Sequence, residues 1–458
     1  MNRFSFLLLL LVASCSTTKP YQRPPVELPA AWAQSAPRFA EDGRWWRVFE
    51  DPELERLVEE ALLGNADLLV AAARVDEARA LLGETRAAQM PVVDARIAAT
   101  SQRNSQTTAF SPPGAPFEYG NTRATLNLSY EVDLWGKLSA GTAAARAELA
   151  ASEASRDAVR IALAAQVTKS FYALRSLDEQ AELTRQTVAL REEALGLQRK
   201  RFDAGVISQF ELRQLEAETA VVRAQLPPLE REREREEIAL AVMLGRLPAD
   251  VFERRIPLSE REQRMLAPVL PAGMPSELLL RRPDLVEAER RLAAANARVA
   301  VARSEIYPSI SLTAAAGYES VQLNNLFNGP GGLWALGVSL TQPIFAGGRL
   351  EARTAAAQAR ERAALAQYVQ AIRNAFGEVR TALVVQSRSL ESYQAESLRE
   401  AALAESRRLA QLRYTSGAAS QLEVIDAERG LLAARVARIE ALRAHRAAIA
   451  DLFRALGG

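Results

Sequence analysis

The chain is poor in the side chains from which most active sites are built. It holds one cysteine and one histidine, His445, in 458 residues. A Cys/His metal cluster is therefore excluded, as is any Cys–His or Ser–His–Asp triad that does not use His445. An excess of charge of one sign is also lacking. Lys+Arg is 57 against Asp+Glu 56, which leaves no electrostatic case for a nucleic-acid partner. Lysine itself is confined to Lys19, Lys137, Lys169 and Lys200, with arginine supplying the other cations, a bias we read as genomic base composition. Aromatic residues are only 6%, which favours long helices over a β-sandwich. Past the N-terminus no apolar run approaches the roughly 20 residues of a membrane-spanning helix. Any membrane crossing is then a closed β-barrel, or there is none. What is present is 48% apolar and 25% charged residues, too rich a mixture for global disorder.

Met1-Asn2-Arg3 makes a positive start, and Phe4 to Ala13 is apolar apart from Ser5. That is too short to span a bilayer and reads as a signal peptide over residues 1–14. Small residues precede Cys15, in the manner of a bacterial lipoprotein signal cut so that Cys15 carries lipid. The alternative is an ordinary signal peptide with an incidental cysteine. No other cofactor is expected. Residues 15–50 should follow as an extended segment, since Pro20, Pro24, Pro25, Pro29 and Pro37 oppose helix.

Helix should begin at Asp51-Pro52-Glu53, with Asp51 as cap and Pro52 in the first turn. Gly64-Asn65 marks a break. The period then changes to two. Val93, Ala95, Ile97 and Ala99 alternate along a strand near 92–100. Leu126, Leu128, Tyr130, Val132 and Leu134 alternate with Asn127, Ser129, Glu131 and Asp133 along a second strand near 124–135. From Leu138 to Arg201 there is no proline, enough for about 95 Å of helix at 1.5 Å per residue. Leu163, Val167, Phe171 and Leu174 trace an apolar stripe there. Phe202-Asp203-Ala204-Gly205 interrupts it, Ser208 is placed to cap a second helix, and Pro227-Pro228 should kink that helix. The Glu/Arg run from Glu230 to Glu237 reads as a solvated face laced with ion pairs. A proline-rich connector occupies 248–275.

The pattern then recurs. Asp67-Leu68, Arg74, Arg86 and Pro91 match Asp284-Leu285, Arg291, Arg303 and Pro308, 217 positions later. Leu128, Val132, Gly136, Phe202, Gly205, Ser208 and Glu211 match Leu340, Ile344, Gly348, Tyr414, Gly417, Ser420 and Glu423, 212 positions later. The change of offset falls inside the hairpin, where a loop absorbs length and packed helices do not. Two copies follow, 51–247 and 276–458, with further strands near 309–317 and 333–345. Four amphipathic strands cannot close a barrel, and open edges are not tolerated in lipid. If these strands meet lipid, several chains must pool them. The helix stripes suit either a hollow helical barrel continuing the strands or an ordinary coiled coil.

An ordered set of motifs carries a resemblance: Tyr21-Gln22-Arg23-Pro24, Trp45-Trp46, Phe49-Glu50-Asp51-Pro52-Glu53-Leu54, Asn65-Ala66-Asp67-Leu68, Arg282-Pro283-Asp284-Leu285, Pro343 to Arg349, and Arg413-Tyr414-Thr415-Ser416-Gly417. Over essentially the whole mature chain it resembles the TolC-like outer membrane efflux protein family, in its NodT/OprM-type lipoprotein branch. The resemblance implies a mainly α fold with a membrane β-barrel. That would be a homotrimer with a 12-stranded barrel over a periplasmic α-helical barrel and a small equatorial domain. Its implied function is not enzymatic. It is an exit duct, embedded in outer-membrane lipid, for drugs or other small molecules delivered by an inner-membrane pump of the RND type through a periplasmic adaptor. A duct for type I polypeptide secretion shares the fold. A lipid-anchored periplasmic coiled-coil scaffold without a pore is the alternative of another class.

On that resemblance the two reversals are periplasmic tips that dock the adaptor, through Gly205, Val206 and Ser208 and through Gly417, Ala418 and Ser420. A plain helical-hairpin turn accounts for the same residues. Glu423 and Asp426 match carboxylates that ring a closed entrance, and Glu211 and Tyr414 match a polar pair tying neighbouring helix pairs together. Ala419 departs from the family, where a polar residue is usual, and puts one latch contact in doubt. Trp135 and Trp334 are read as interfacial anchors on strands, Trp45 and Trp46 as helical packing, and His445 as a bystander.

Overall fold

The computed structural model describes residues 21–24, 43–103, 105, 118–247, 280 and 282–458. The expected signal peptide, the lipidation site Cys15 and the connector 248–275 lie outside the described residues. In chain order the elements are α1 (Pro52–Gly64), α2 (Ala66–Ala87), β1 (Val92–Arg103), β2 (Glu118–Val132), α3 (Lys137–Asp203) and α4 (Gln209–Met243). Then come α5 (Pro283–Ser304), β3 (Ser309–Ser320), β4 (Gly332–Thr341), α6 (Arg349–Thr415) and α7 (Gln421–Leu456). The described residues are mostly helical, with one small sheet. No helix among the described residues is long and apolar enough to cross a membrane. The chain divides into two compact units. Of the described residues, one unit holds those within 21–24, 74–153 and 287–369; the other holds those within 43–73, 154–286 and 370–458.

The first unit contains an antiparallel sheet in the order β1-β2-β3-β4. The strand bounds differ from the sequence expectation. β2 starts at Glu118, earlier than the alternation suggests, and stops at Val132 rather than 135. Asp133 leaves the ladder because its carboxylate accepts the backbone N–H groups of Leu138 (2.9 Å) and Ser139 (2.8 Å), capping α3. β4 stops at Thr341 rather than 345. Pro343 has no N–H to give a ladder. Trp135 accordingly sits just past β2, not on it. Its Nε1 donates to the Pro308 carbonyl at 2.6 Å, and its ring stacks on Tyr307.

The second unit is a helical core. The stripe along α3 is buried as expected. Val167, Phe171 and Leu174 pack with Leu54, Leu57, Leu240, Ile449 and Phe453. Trp45 and Trp46 join them, with the Trp45 ring stacked on Phe453 at 5.4 Å. The segment before α1 is not wholly extended, since Trp45–Phe49 winds into a short 3-10 turn. Its aromatic residues bury there, and the prolines that oppose helix stop at Pro37. Asp51 accepts from the N–H groups of Glu53 (3.1 Å) and Leu54 (3.3 Å) and also meets Arg175 at 3.0 Å. Asn65 ends α1, caps α2 through Asp67 (3.0 Å), and donates to the Met243 carbonyl at 2.9 Å.

Two local expectations needed tertiary information. α4 stays helical through Pro227-Pro228. The prolines forfeit two helical bonds, but contacts to α3 hold both flanks. Before them Arg223 meets Glu192; after them Arg185 meets Glu230 at 2.9 Å, and Ser170 donates to Glu236 at 2.6 Å. The Glu/Arg run is only half solvated. Arg231 and Arg235 are exposed, whereas Arg233 is nearly buried between Asp178 and Glu237.

Candidate functional site

Two places in the molecule carry chemistry that packing does not consume. The first is the sheet. Directly opposed residues of antiparallel strands share a face, so the register assigns the faces. Val93 faces Leu128, which faces Ala314, which faces Leu336. Ala95, Leu126, Ala316 and Trp334 form the neighbouring row, and Tyr130, Leu312 and Val338 another. These rows are apolar, and the same face turns polar only towards the β1–β2 loop, where Thr122 opposes Ser320 and Arg103 opposes Glu118. The opposite face carries Asp94, Asn127, Ser129, Glu131, Thr313, Ser311 and Ser339. There Asn127 donates to Asp94 at 2.8 Å. No described element covers the apolar face at β4, where Trp334 is 77% exposed and Val338 75%. Among the described residues β1 and β4 are unpaired edges.

The second place is the pair of helix reversals in the helical unit. Gly205 takes φ +75° and Gly417 φ +76°, the left-handed region that a side chain opposes. The Val206 N–H donates to the Arg201 carbonyl (2.9 Å) and that of Gly205 to Phe202 (2.8 Å). Ala418 and Gly417 repeat the pattern onto Arg413 (2.8 Å) and Tyr414 (3.0 Å). Each reversal thus ends its helix by the same two-bond motif. Beneath the first, Leu195, Leu212, Leu215 and Ile425 form a small core with Phe202 and Ile207. Val206 and Phe210 are left exposed.

The reversals then diverge. Ser208 accepts from the Glu211 N–H at 3.3 Å, while the Glu211 carboxylate accepts from the Ser208 N–H at 2.7 Å. That reciprocal cap occupies Glu211. In the second reversal Ser420 makes no side-chain cap bond, so the equivalent Glu423 is released. It lies 3.6 Å from Arg413, and Asp426 lies 3.6 Å from Arg429. Both carboxylates are exposed, and each faces an arginine of its own chain. Tyr414 accepts from Arg201 at 3.3 Å, so within one chain it is not bonded to Glu211. Sequence reasoning missed Arg201, Arg413 and Arg429. Their spacing from the acids was legible, but nothing in it separates them from other arginines.

A model of the family described as outer membrane efflux protein matches residues 57–246 and 274–458. The chain belongs to the outer membrane efflux protein family. It is 34% identical over 468 residues to the toluene efflux pump outer membrane protein TtgF of Pseudomonas putida, covering 99% of this chain and 96% of that protein. It is 33% identical to the probable outer membrane lipoprotein SilC of Salmonella typhimurium, covering 100% and 98%. The crystal structure of the Campylobacter jejuni CmeC outer membrane channel superposes with a TM-score of 0.90 at 25% identity, covering 97% and 95%. As a member of this family the chain is an efflux protein of the outer membrane, and its relatives are channel proteins rather than enzymes.

Proposed function

We propose that three copies of this chain assemble into the exit duct of a tripartite efflux system. One observation carries the reading: a four-stranded sheet with an uncovered apolar face, a polar face and two unpaired edges. Such a sheet does not persist alone in lipid, because each unpaired backbone group there costs several kcal/mol. Joining β4 of one copy to β1 of the next satisfies both edges and yields a 12-stranded barrel. The apolar rows then meet lipid and Ser129, Glu131 and Ser339 line water. The long helices enclose the periplasmic part of the duct, and lipid on Cys15 tethers each chain. The reversals around Gly205, Val206 and Ser208 and around Gly417, Ala418 and Ser420 dock a periplasmic adaptor, which links the duct to an inner-membrane pump of the RND type. Glu423 and Asp426, with Tyr414 and Glu211 nearby, form the periplasmic entrance. Cargo is a drug or another small molecule, and the energy is the pump's. The test is planar-bilayer conductance of the purified protein together with its oligomeric mass. Discrete channels from a trimer are expected; a monomer or dimer without conductance overturns the reading.

A further inference from the structure

Glu218 on α4 sits where the two helical hairpins of the second unit meet, and its carboxylate is nine-tenths buried. It is claimed by two arginines. Arg429 of α7 grips it with both arms of the guanidinium, Nε to Oε2 at 2.8 Å and Nη2 to Oε1. Arg191 of α3 reaches it only through Nη1, at 3.4 Å. Arg191 is itself buried, and its Nε and Nη2 find no partner among the described residues. A buried guanidinium with two idle donors is an unfavourable arrangement unless something else holds it. Here Glu218 holds it by the single Nη1 contact, and the Nε/Nη2 edge stays idle because Arg429 occupies both carboxylate oxygens. Arg429 also lies 3.6 Å from Asp426. A cleft of about 200 Å³, lined by Arg191, Gln198, Glu218, Thr219, Tyr414 and Ile425, gives the carboxylate room to turn.

We propose that Glu218 is a two-position switch for the entrance. Bound to Arg429 it holds the second hairpin against the first and, through that arginine, positions Asp426. When the hairpins part, Arg429 leaves with α7 and Glu218 turns to the Nε/Nη2 edge of Arg191, two residues of the first hairpin that remain together. The idle donors are then satisfied in the parted state, which offsets part of the cost of breaking the first grip. Both states leave Glu218 paired, so neither strands a buried carboxylate. The switch rests on the reading of Glu423 and Asp426 as entrance residues.

The two arginines must then act in opposite directions, which a purely structural role does not predict. Arg429→Gln weakens the closed grip and should raise the fraction of time the full-length trimer is open in a planar bilayer, on the order of tenfold. Arg191→Met removes the alternative partner and should lower that fraction. Should Arg429→Gln fail to assemble, Arg429→Lys, which keeps the charge but loses the two-armed grip, should shift the open fraction upward as well. Shifts in the same direction from the two positions, or no shift from either, overturn the switch. The entrance itself is tested separately by ion selectivity of Glu423→Ala/Asp426→Ala. Altered selectivity there with no opposed shifts discards the switch alone, whereas unaltered selectivity discards the entrance and the switch with it.

Discussion

Arg201 of the first reversal donates to the hydroxyl of Tyr414 in the second at 3.3 Å. The relationship is not reciprocated. The sequence equivalent of Tyr414 is Phe202, which has no hydroxyl, and the equivalent arginine, Arg413, instead faces Glu423 at 3.6 Å. Duplicated hairpins therefore share their turns and differ in their polar contacts. The second hairpin carries the freed acids, and this is the one we assign to the entrance.

The acids should set ion selectivity. In the proposed trimer three copies would bring six carboxylates to one opening, so cations entering from the periplasm should be attracted and multivalent cations should block. Arg413 and Arg429 partly neutralise that charge. Glu423→Ala/Asp426→Ala should weaken selectivity and block without preventing assembly, and Arg413→Ala should strengthen both. If the acids lay on an outer surface, screening over about 8–10 Å would erase the difference. Reversal potentials in asymmetric salt measure it.

Substitution in the sheet should depend on the face. Leu128→Arg and Leu340→Arg place charge on the apolar face, at about 2–4 kcal/mol near a bilayer midplane. Ser129→Arg and Ser339→Arg, on the opposite face, should assemble normally and change conductance. Heat resistance of the trimer on gels separates the two sets, and equal tolerance would contradict the barrel.

A β-branched residue should be resisted at the glycines of both reversals. Gly205→Val and Gly417→Val oppose φ near +75°. Both should reduce crosslinking to the adaptor and export while trimers persist. Unchanged crosslinking in both variants would remove the reversals from the docking surface.

Lipid should be separable from assembly. Cys15→Ala should abolish labelling with a fatty-acid analogue yet leave membrane-embedded trimers. Release of the variant into the soluble fraction would mean that the tether alone holds the protein at the membrane.

Acid should loosen the helical unit through Glu440. Burial pushes its carboxyl up, but Arg443 and hydrogen bonds from Gln180 and Ser176 more than offset that, and the net shift is downward. A depressed carboxyl contributes stability that is present above the ordinary carboxylate value of 4.5 and is lost as pH falls through the lower folded value. Glu440→Gln should therefore destabilise the trimer at neutral pH and flatten its loss of stability in that acid range. Thermal melts at stepped pH test this.

The sequence alone determined what is local or periodic. Alternation marked the strands of the sheet, Asp51 and Ser208 announced their caps, Gly64-Asn65 marked a break, and the equivalence of Gly205 and Gly417 placed both reversals. Each of these is governed by backbone geometry within a few residues, so a pattern suffices. The tertiary structure alone decided which charges meet. Glu211 and Glu423 are equivalent in sequence, yet one closes a capping box and the other is released to face Arg413. Pro227-Pro228 reads as a kink, and α4 runs on through it as helix with α3 paired to it on both sides, Glu192 to Arg223 and Arg185 to Glu230. Nothing in the order of residues singles out Glu218 among the acids. Its importance comes from Arg191 and Arg429 arriving on other helices, 27 and 211 positions away, at a buried point where an unmatched charge is costly.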